Sequence, residues 1–163
     1  MKLVIAEKPS VGREIAKILG ADTVRSGYLE GNGYLVTWAF GHLVQLSGPE
    51  QYGFKTWSKE NLPILPESFS LSVKQVKSKS GYSNDEGAEK QIKLIGQLLD
   101  RVERIVVATD AGREGELIFR FIYEYLGCRK PFMRLWISSL TEKAIREGFN
   151  ELKPGKDFDP LYH

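Results

Sequence analysis

The sequence has little of what marks a secreted or membrane-bound protein. Cys128 is the only cysteine among 163 residues, which excludes an internal disulfide framework and a cysteine-rich zinc site. No apolar run approaches the roughly 18–20 residues that a membrane span needs, and the charged N-terminus is unlike a signal peptide. We therefore expect a protein of a reducing compartment, with no membrane partner.

The chain also lacks a strong excess of charge of one sign. Its formal net charge is +2, with 42% hydrophobic and 27% charged residues, which is ordinary for a globular protein. Such a balance permits nucleic-acid binding without requiring it, so any DNA contact must come from a local patch. The length fits one domain with a sizeable core.

Hydrophobic periodicity predicts strands that alternate with helices. Asn32-Gly33 is typical of a tight hairpin turn, Ser10 and Thr141 are typical helix N-caps, and Gly20 is a typical helix end. No clear element is predicted for residues 41–66, for a polar loop at 77–86, or after residue 150. The predicted strands are residues 2–6, 28–30, 34–38, 70–76, 104–109 and 132–137, and the predicted helices are 11–19, 88–99, 114–126 and 141–150.

This alternation predicts an α/β fold with a mostly parallel, doubly wound sheet flanked by helices. The hairpin adds either an antiparallel edge or a small appended lobe. In such sheets functional residues gather beyond the carboxyl ends of the strands. Two segments meet that condition: Glu7-Lys8 after the first strand, and Asp110 onward after the strand at 104–109.

Three carboxylates are expected near this sheet edge: Glu7, Asp110 and Glu114. Carboxylates that converge repel one another unless a cation lies between them, and oxygen ligands with an incomplete shell suit Mg²⁺. Lys8 and Arg113 would balance the charge and contact a phosphate. The residues thus indicate a Mg²⁺ site that acts on a phosphodiester.

Simpler interpretations stay open on spacing alone. A Glu-Lys pair after a strand is usually solvated surface, and an aspartate followed by glycines is often a turn and helix cap. Glu114 and Glu116 also favour the positive end of a helix dipole without any ligand. What supports a functional site is that both clusters fall at one edge of one sheet.

Four segments carry a family resemblance: Ile-Ala-Glu-Lys-Pro-Ser at residues 5–10, Thr-Trp-Ala-Phe-Gly-His-Leu at 37–43, Leu-Pro-Ile-Leu-Pro at 62–66 and Ala-Thr-Asp-Ala-Gly-Arg-Glu-Gly-Glu at 108–116. In this order they resemble the Rossmann-like toprim domain of type IA DNA topoisomerases, and within these the bacterial topoisomerase III group. The resemblance covers essentially the whole chain.

The resemblance implies a role for each matching residue. Glu7 would be the general acid–base residue and a metal ligand, Lys8 would contact the scissile phosphate, and Asp110 would bind Mg²⁺ with Glu114 as an acidic partner. Trp57 would stack on a base of single-stranded DNA. His42 matches the family, but a lone histidine is more often structural, so its role stays open.

The resemblance also implies a domain plan and an activity. Residues 1–152 would be the toprim domain, and 153–163 the start of a linker to a following domain with the nucleophilic tyrosine. Together they would form an ATP-independent isomerase that cleaves and rejoins single-stranded DNA in the bacterial cytoplasm, at the nucleoid. It needs no small-molecule cofactor, and this part alone would be inactive.

One residue departs from the family pattern. Gly112 stands where the second aspartate of the family's Asp-x-Asp pair is usual. A single Mg²⁺ held by Glu7 and Asp110, with Glu114 acting through water, is therefore expected. Two alternatives stay open: a stand-alone Mg²⁺-dependent toprim nuclease, and a non-catalytic DNA-binding module.

Overall fold

A computed structural model describes residues 1–46, 71–78 and 81–159 of the chain. Trp57 and the segment at 62–66 lie outside these residues. The helices are α1 (Pro9–Leu19), α2 (Glu86–Leu99), α3 (Arg113–Tyr125) and α4 (Glu142–Asn150), with a short 3-10 helix at Gly155–Phe158. The strands are β1 (Lys2–Ala6), β2 (Thr23–Arg25), β3 (Tyr28–Gly31), β4 (Tyr34–Trp38), β5 (Val44–Leu46), β6 (Leu71–Val73), β7 (Gln75–Ser78), β8 (Gly81–Asn84), β9 (Arg104–Ala108), β10 (Phe132–Arg134) and β11 (Lys153–Pro154).

The described residues build a central sheet with the strand order β11-β10-β9-β1-β4-β3-β2. β10, β9, β1 and β4 run parallel, while β3, β2 and β11 pair antiparallel at the edges. The predicted mostly parallel α/β sheet is confirmed. The hairpin forms an antiparallel edge of this sheet and not a separate lobe.

The sheet is covered on both faces, as a parallel sheet must be. Leu3 and Ile5 of β1 face the core beneath α2 and α3. Val4 and Ala6 face the opposite core, formed with α1 and α4. All four side chains are at most 1% exposed, and each large one contributes about 1.5–3 kcal/mol to folding by its burial. β1 is therefore fixed rigidly, with its carboxyl end at the edge of both cores.

Two predicted turns follow from residues that tolerate positive φ. Asn32 and Gly33 have φ of 51° and 82°, which suits the tight turn between β3 and β4. Gly20 ends α1 with φ of 83°, in the left-handed conformation common at helix ends. Thr141 caps α4 as predicted, since its side chain accepts a hydrogen bond from the Ala144 N–H.

The predicted N-cap at Ser10 is wrong. α1 begins at Pro9, and the residue that precedes it, Lys8, is extended with φ −151° and makes no side-chain cap. Proline lacks the N–H that a first helical residue would leave unpaired, and its fixed φ suits the helix. The helix therefore starts directly behind Glu7-Lys8.

The predictions for residues 41–86 were partly wrong. The strand predicted at 70–76 is two short strands, β6 and β7, and the predicted loop at 77–86 contains β8, which pairs with β7. β5, in the stretch predicted to be irregular, pairs with β6. These strands are only three or four residues long, which is too short for the hydrophobic pattern to define their bounds.

Regular structure also continues after residue 150, where none was predicted. β11 pairs with β10, and a Cβ at Gly155 would lie 2.1 Å from the Phe132 ring, so the close approach needs a glycine there. β10 is shorter than the predicted 132–137. The division at 152/153 stays a prediction. In the described part of the chain, no helix has the length and apolar character to cross a membrane.

Candidate metal and phosphate site

The site lies in the crevice between the carboxyl ends of β1 and β9. These strands are neighbours in the sheet, and Ala6 pairs with Ala108. The helices that follow them pack on opposite faces: α1 belongs to one core and α3 to the other. A crevice opens where successive helices diverge in this way, and ligands bind at such points in open α/β sheets.

Glu7 and Asp110 meet in this crevice. The Glu7 carboxylate accepts a hydrogen bond of 3.0 Å from the Asp110 N–H. Burial raises the pKa of the Glu7 carboxyl above its ordinary value, and hydrogen bonding and charge repulsion with the Asp110 side chain add to the rise. The Asp110 N–H and the Lys8 ammonium oppose it. The two carboxyl groups therefore hold negative charge together only at a cost in free energy.

Glu114 does not join this pair. Its Oε1 lies 2.5 Å from Nε2 of His42, and the His42 ring packs against Phe121 at a centroid distance of 5.9 Å. Across residues 1–46, 71–78 and 81–159, no group of three or more His, Cys, Asp or Glu side chains is arranged to hold a metal ion. Glu7 and Asp110 therefore lie together, and Glu114, the third carboxylate expected there, does not.

Two adjacent carboxylates still suit Mg²⁺. This ion takes one or two protein carboxylates and completes its shell with water and substrate phosphate. A cation between Glu7 and Asp110 would also relieve the repulsion that raises the pKa of Glu7. The donor set thus fits an open, solvent-accessible magnesium site.

Lys8 and Arg113 lie at the N-termini of α1 and α3, the two helices that flank the crevice. Lys8 precedes α1 and Arg113 is the first residue of α3, and both side chains are exposed. The N-termini of α1 and α3 present unpaired N–H groups and positive dipole ends at the same place. Both predicted phosphate contacts therefore lie at helix N-termini close in sequence to Glu7 and Asp110. The third predicted DNA contact, Trp57, lies outside the described residues.

Two glycines shape the loop between β9 and α3. A Cβ at Gly115 would lie 1.9 Å from the carbonyl oxygen of Asp110, so only glycine lets the first turn of α3 close on that aspartate. Gly112 has φ of 129° and ψ of 178°, which L residues rarely adopt. The position where the family has a second aspartate is thus in a backbone conformation suited to glycine.

A buried arginine donates hydrogen bonds to this loop, and it was not among the site residues predicted from the sequence. Arg134 of β10 is 1% exposed. It donates to the Thr109 hydroxyl at 2.7 Å and to the Asp110 carbonyl at 2.6 Å. Burial lowers its pKa while the charge of Glu116 opposes that effect. Arg134 therefore fixes the backbone of Asp110, and an arginine inside an otherwise apolar strand was the available signal.

Glu116 links Arg134 to a second arginine. Glu116 is 1% exposed and lies 3.6 Å from Nε of Arg134 and 2.7 Å from Nε of Arg120. Arg120 also donates to the carbonyl of Gly155 at 3.0 Å and pairs with Asp159 at 2.7 Å. This buried ion network connects the Asp110 loop to the segment at 155–159. Glu116 thus serves the fold beneath the site, and no cation other than these arginines is needed to explain its burial.

Comparison with known proteins adds a family to this geometry. Residues 2–140 match the Toprim domain family. The chain is 51% identical to DNA topoisomerase 3 of Bacillus subtilis over 99% of its own length, and 50% identical to DNA topoisomerase 3 of Shouchella clausii over a similar range. It spans only 21% of each relative.

A solved structure supports the fold. Full-length topoisomerase I from Thermotoga maritima aligns with 93% of this chain, at a TM-score of 0.53 and 23% identity, and the chain covers 21% of that protein. At this level of identity the likeness establishes the shared α/β architecture and nothing about chemistry.

Proposed function

Because this chain belongs to the Toprim domain family, we propose that it forms the acidic half of the DNA-cleavage centre of a type IA topoisomerase similar to topoisomerase III. The single observation that carries this proposal is the Glu7–Asp110 pair at the junction of β1 and β9. The relatives named DNA topoisomerase 3, which match along 99% of the chain, supply the class of reaction.

The chemistry is a reversible transfer of a phosphodiester. A tyrosine hydroxyl from the remaining domains of the full-length enzyme gives its proton to water as its oxygen attacks the phosphorus, and a 5′-phosphotyrosine link forms as the bond to the 3′ oxygen breaks. That oxygen needs a proton to leave as a hydroxyl. In the rejoining step the hydroxyl loses the proton, attacks the phosphorus and releases the tyrosine. Because the tyrosine comes from outside this chain in the proposal, the chain alone cannot complete the reaction.

Glu7 is the proposed proton donor and acceptor. A general acid must hold a proton near the working pH, and burial together with Asp110 raises the pKa of Glu7 in that direction. The same carboxyl, once ionised, takes the proton back from the 3′ hydroxyl. The hydrogen bond from the Asp110 N–H holds the carboxyl in one orientation, which keeps it aimed into the crevice.

Glu7 and Asp110 are also the proposed ligands of one Mg²⁺, with Glu114 acting through water from its place beside His42. When bound, Mg²⁺ would supply positive charge against phosphate oxygens. Lys8 and Arg113 are the proposed phosphate contacts on either side of the crevice, and Trp57 is the proposed stacking residue for a base.

Single-stranded DNA is therefore the proposed substrate, since its backbone can reach a crevice at a sheet edge and its bases are free to stack. The proposal requires no small-molecule cofactor. It places the enzyme with DNA in the bacterial cytoplasm.

The test is relaxation of negatively supercoiled DNA by a full-length enzyme that contains this chain. Glu7→Gln keeps the hydrogen bond from Asp110 but cannot carry the proton, so relaxation should fall by roughly 10²–10⁴-fold. Glu103→Gln is the matched control, because Glu103 is 86% exposed and directly precedes β9, at the end of that strand opposite to Asp110. Full relaxation activity of Glu7→Gln would contradict the proposal, and Mg²⁺-dependent nicking by the 163-residue chain alone would favour a nuclease.

A further inference from the structure

We propose that a groove between α2 and the β2–β3 turn binds single-stranded DNA next to this site, with Phe40 as a stacking surface and Lys90 and Lys93 as phosphate contacts. This inference rests on the proposed function, since the occupant is the strand whose phosphate the crevice handles. The groove has a volume of about 580 Å³, which is within the range of specific ligand sites.

The groove includes the residue that follows the pairing of Ala39 with the end of β1. The Ala39 N–H donates to the Ala6 carbonyl at 2.9 Å, so the chain that leaves β4 runs alongside the end of β1, roughly 4.8 Å away. Phe40 follows Ala39, lines the groove and is 44% exposed. A large apolar ring is thus presented to solvent just after β4, the strand that neighbours β1, and β1 is followed by the proposed acid. A base stacked on it would belong to a nucleotide close to the reacting phosphate.

The charge of the groove matches a nucleic-acid backbone. Lys90 and Lys93 are exposed and lie three residues apart on one stripe of α2. Among the described residues, these lysines are the only charged side chains that line the groove. Glu89, the acidic neighbour, lines a different groove on the other side of α2, which Lys93 also borders. An aromatic surface flanked by cations is the combination that binds single strands without sequence preference.

The walls of the groove are held in place. Gln91, between the two lysines, is 7% exposed and donates to the Thr37 hydroxyl at 3.0 Å and to the Trp38 carbonyl at 2.7 Å. On the opposite wall, a Cβ at Gly27 would lie 2.3 Å from Cδ2 of Leu94, so the turn packs closely on α2. A preformed groove loses little conformational freedom when it binds.

Single-stranded DNA is favoured over duplex DNA because Phe40 needs an unpaired base. In a duplex the base faces are stacked on one another and are out of reach of a side chain on the groove wall. A polyanion without bases would use the lysines but not the aromatic ring. The two kinds of contact can therefore be separated by mutation.

The experiment is a fluorescence anisotropy titration of a fluorescein-labelled oligo-dT with the 163-residue chain. Phe40→Ala should weaken binding by about 5- to 150-fold, the range for loss of one stacked base. Lys90→Gln/Lys93→Gln should lower the slope of log affinity against log salt by about 1.4, since each single-strand phosphate contact contributes about 0.7. Lys17→Gln/Arg104→Gln is the control, which removes the same charge from exposed positions on α1 and β9 that do not line the groove.

Three results would contradict the proposed DNA-binding groove. The first is an equal decrease in salt slope for the groove and control double variants. The second is an equal loss of affinity for single-stranded and duplex DNA with Phe40→Ala, and the third is absence of binding by the unaltered chain. The proposed function is tested independently by Mg²⁺ titration of Asp110→Asn, which does not involve the groove. Thermal unfolding of each variant checks that the fold is intact. We expect little change in melting temperature, because the substituted side chains are exposed.

Discussion

The Glu7 carboxylate accepts a 3.0 Å hydrogen bond from the Asp110 N–H, although 103 residues separate the two in the sequence. This contact places an acid with a raised pKa against a second carboxyl at the point where β1 and β9 end together. The proposed binding of Mg²⁺ and the proposed proton transfer therefore depend on the same pair.

The first prediction concerns stability and pH. Folding raises the pKa of Glu7, so the stability associated with its protonated form is present below the ordinary pKa of 4.5 and is lost as pH rises through the folded-state value. Without Mg²⁺, Glu7→Gln should therefore be more stable than the unaltered chain at neutral pH, and the gain should disappear in acid. Urea unfolding over a range of pH measures this difference.

Glu14→Gln, an exposed position on α1, is the control and should show no such pH-dependent gain. A Glu7→Gln variant that is less stable than the unaltered chain at neutral pH without Mg²⁺ would show that burial and Asp110 do not disfavour the charged carboxylate.

The second prediction concerns the arginine beneath the site. Arg134→Met should lower the free energy of unfolding by about 3–5 kcal/mol, because it leaves Glu116 buried without one of its cations. Arg134→Lys should restore part of the loss. Arg146→Met is the control: Arg146 pairs with Glu142 at 2.9 Å on an exposed helix face, and such pairs contribute about 0.3–0.5 kcal/mol. Equal losses in both variants would contradict a special role for the buried network.

The third prediction compares two glycines in helices. Gly115→Ala should destabilise the chain and weaken Mg²⁺ binding, because its Cβ would meet the Asp110 carbonyl at 1.9 Å. Gly96→Ala, where the nearest atom would be Cδ2 of Leu126 at 3.5 Å, should stabilise α2 by up to about 1 kcal/mol. Thermal unfolding measures the change in stability of both variants, and calorimetric titration measures the Mg²⁺ affinity of Gly115→Ala. If Gly115→Ala were as stable as Gly96→Ala, α3 would not close on Asp110 in this way.

The fourth prediction concerns the missing second aspartate. Gly112→Asp and Gly112→Ala should each lose about 1–3 kcal/mol, since φ of 129° is strained for any side chain. Addition of Mg²⁺ should stabilise Gly112→Asp more than Gly112→Ala, because its carboxylate adds negative charge to the site. The alanine variant separates backbone strain from charge. Unchanged stability of both variants would show that this loop adopts another backbone conformation.

Much of the site could be predicted from the sequence because it follows from two buried strands. The apolar runs that form β1 and β9 are unambiguous, and the carboxyl ends of parallel neighbours meet at one edge. The approach of Glu7 to Asp110 is therefore a consequence of topology. The hairpin at Asn32-Gly33 could also be predicted from the sequence, because its turn depends on the positive φ angles that these two residues tolerate.

Other parts depend on contacts that no local pattern encodes. Glu114 faces His42 of the loop after β4, 72 residues earlier, so helix spacing alone could not show that it turns away from Asp110. Arg134 donates to Thr109 and Asp110, which follow β9, and lies near Glu116 of α3. The paired strands β7 and β8 carry one large apolar side chain each, Val76 and Tyr82, and both are exposed, so the pairing leaves no hydrophobic alternation to detect.

The most direct test of the central claim is a calorimetric titration of Mg²⁺ into the 163-residue chain and its Asp110→Asn variant, with Glu103→Gln as control. The claim predicts that the unaltered and control chains bind one Mg²⁺ with equal affinity, and that Asp110→Asn binds it at least about tenfold more weakly, since a carboxylate ligand is lost. Equal Mg²⁺ affinity in all three chains, or no binding in any, would contradict the claim that Glu7 and Asp110 form a magnesium site.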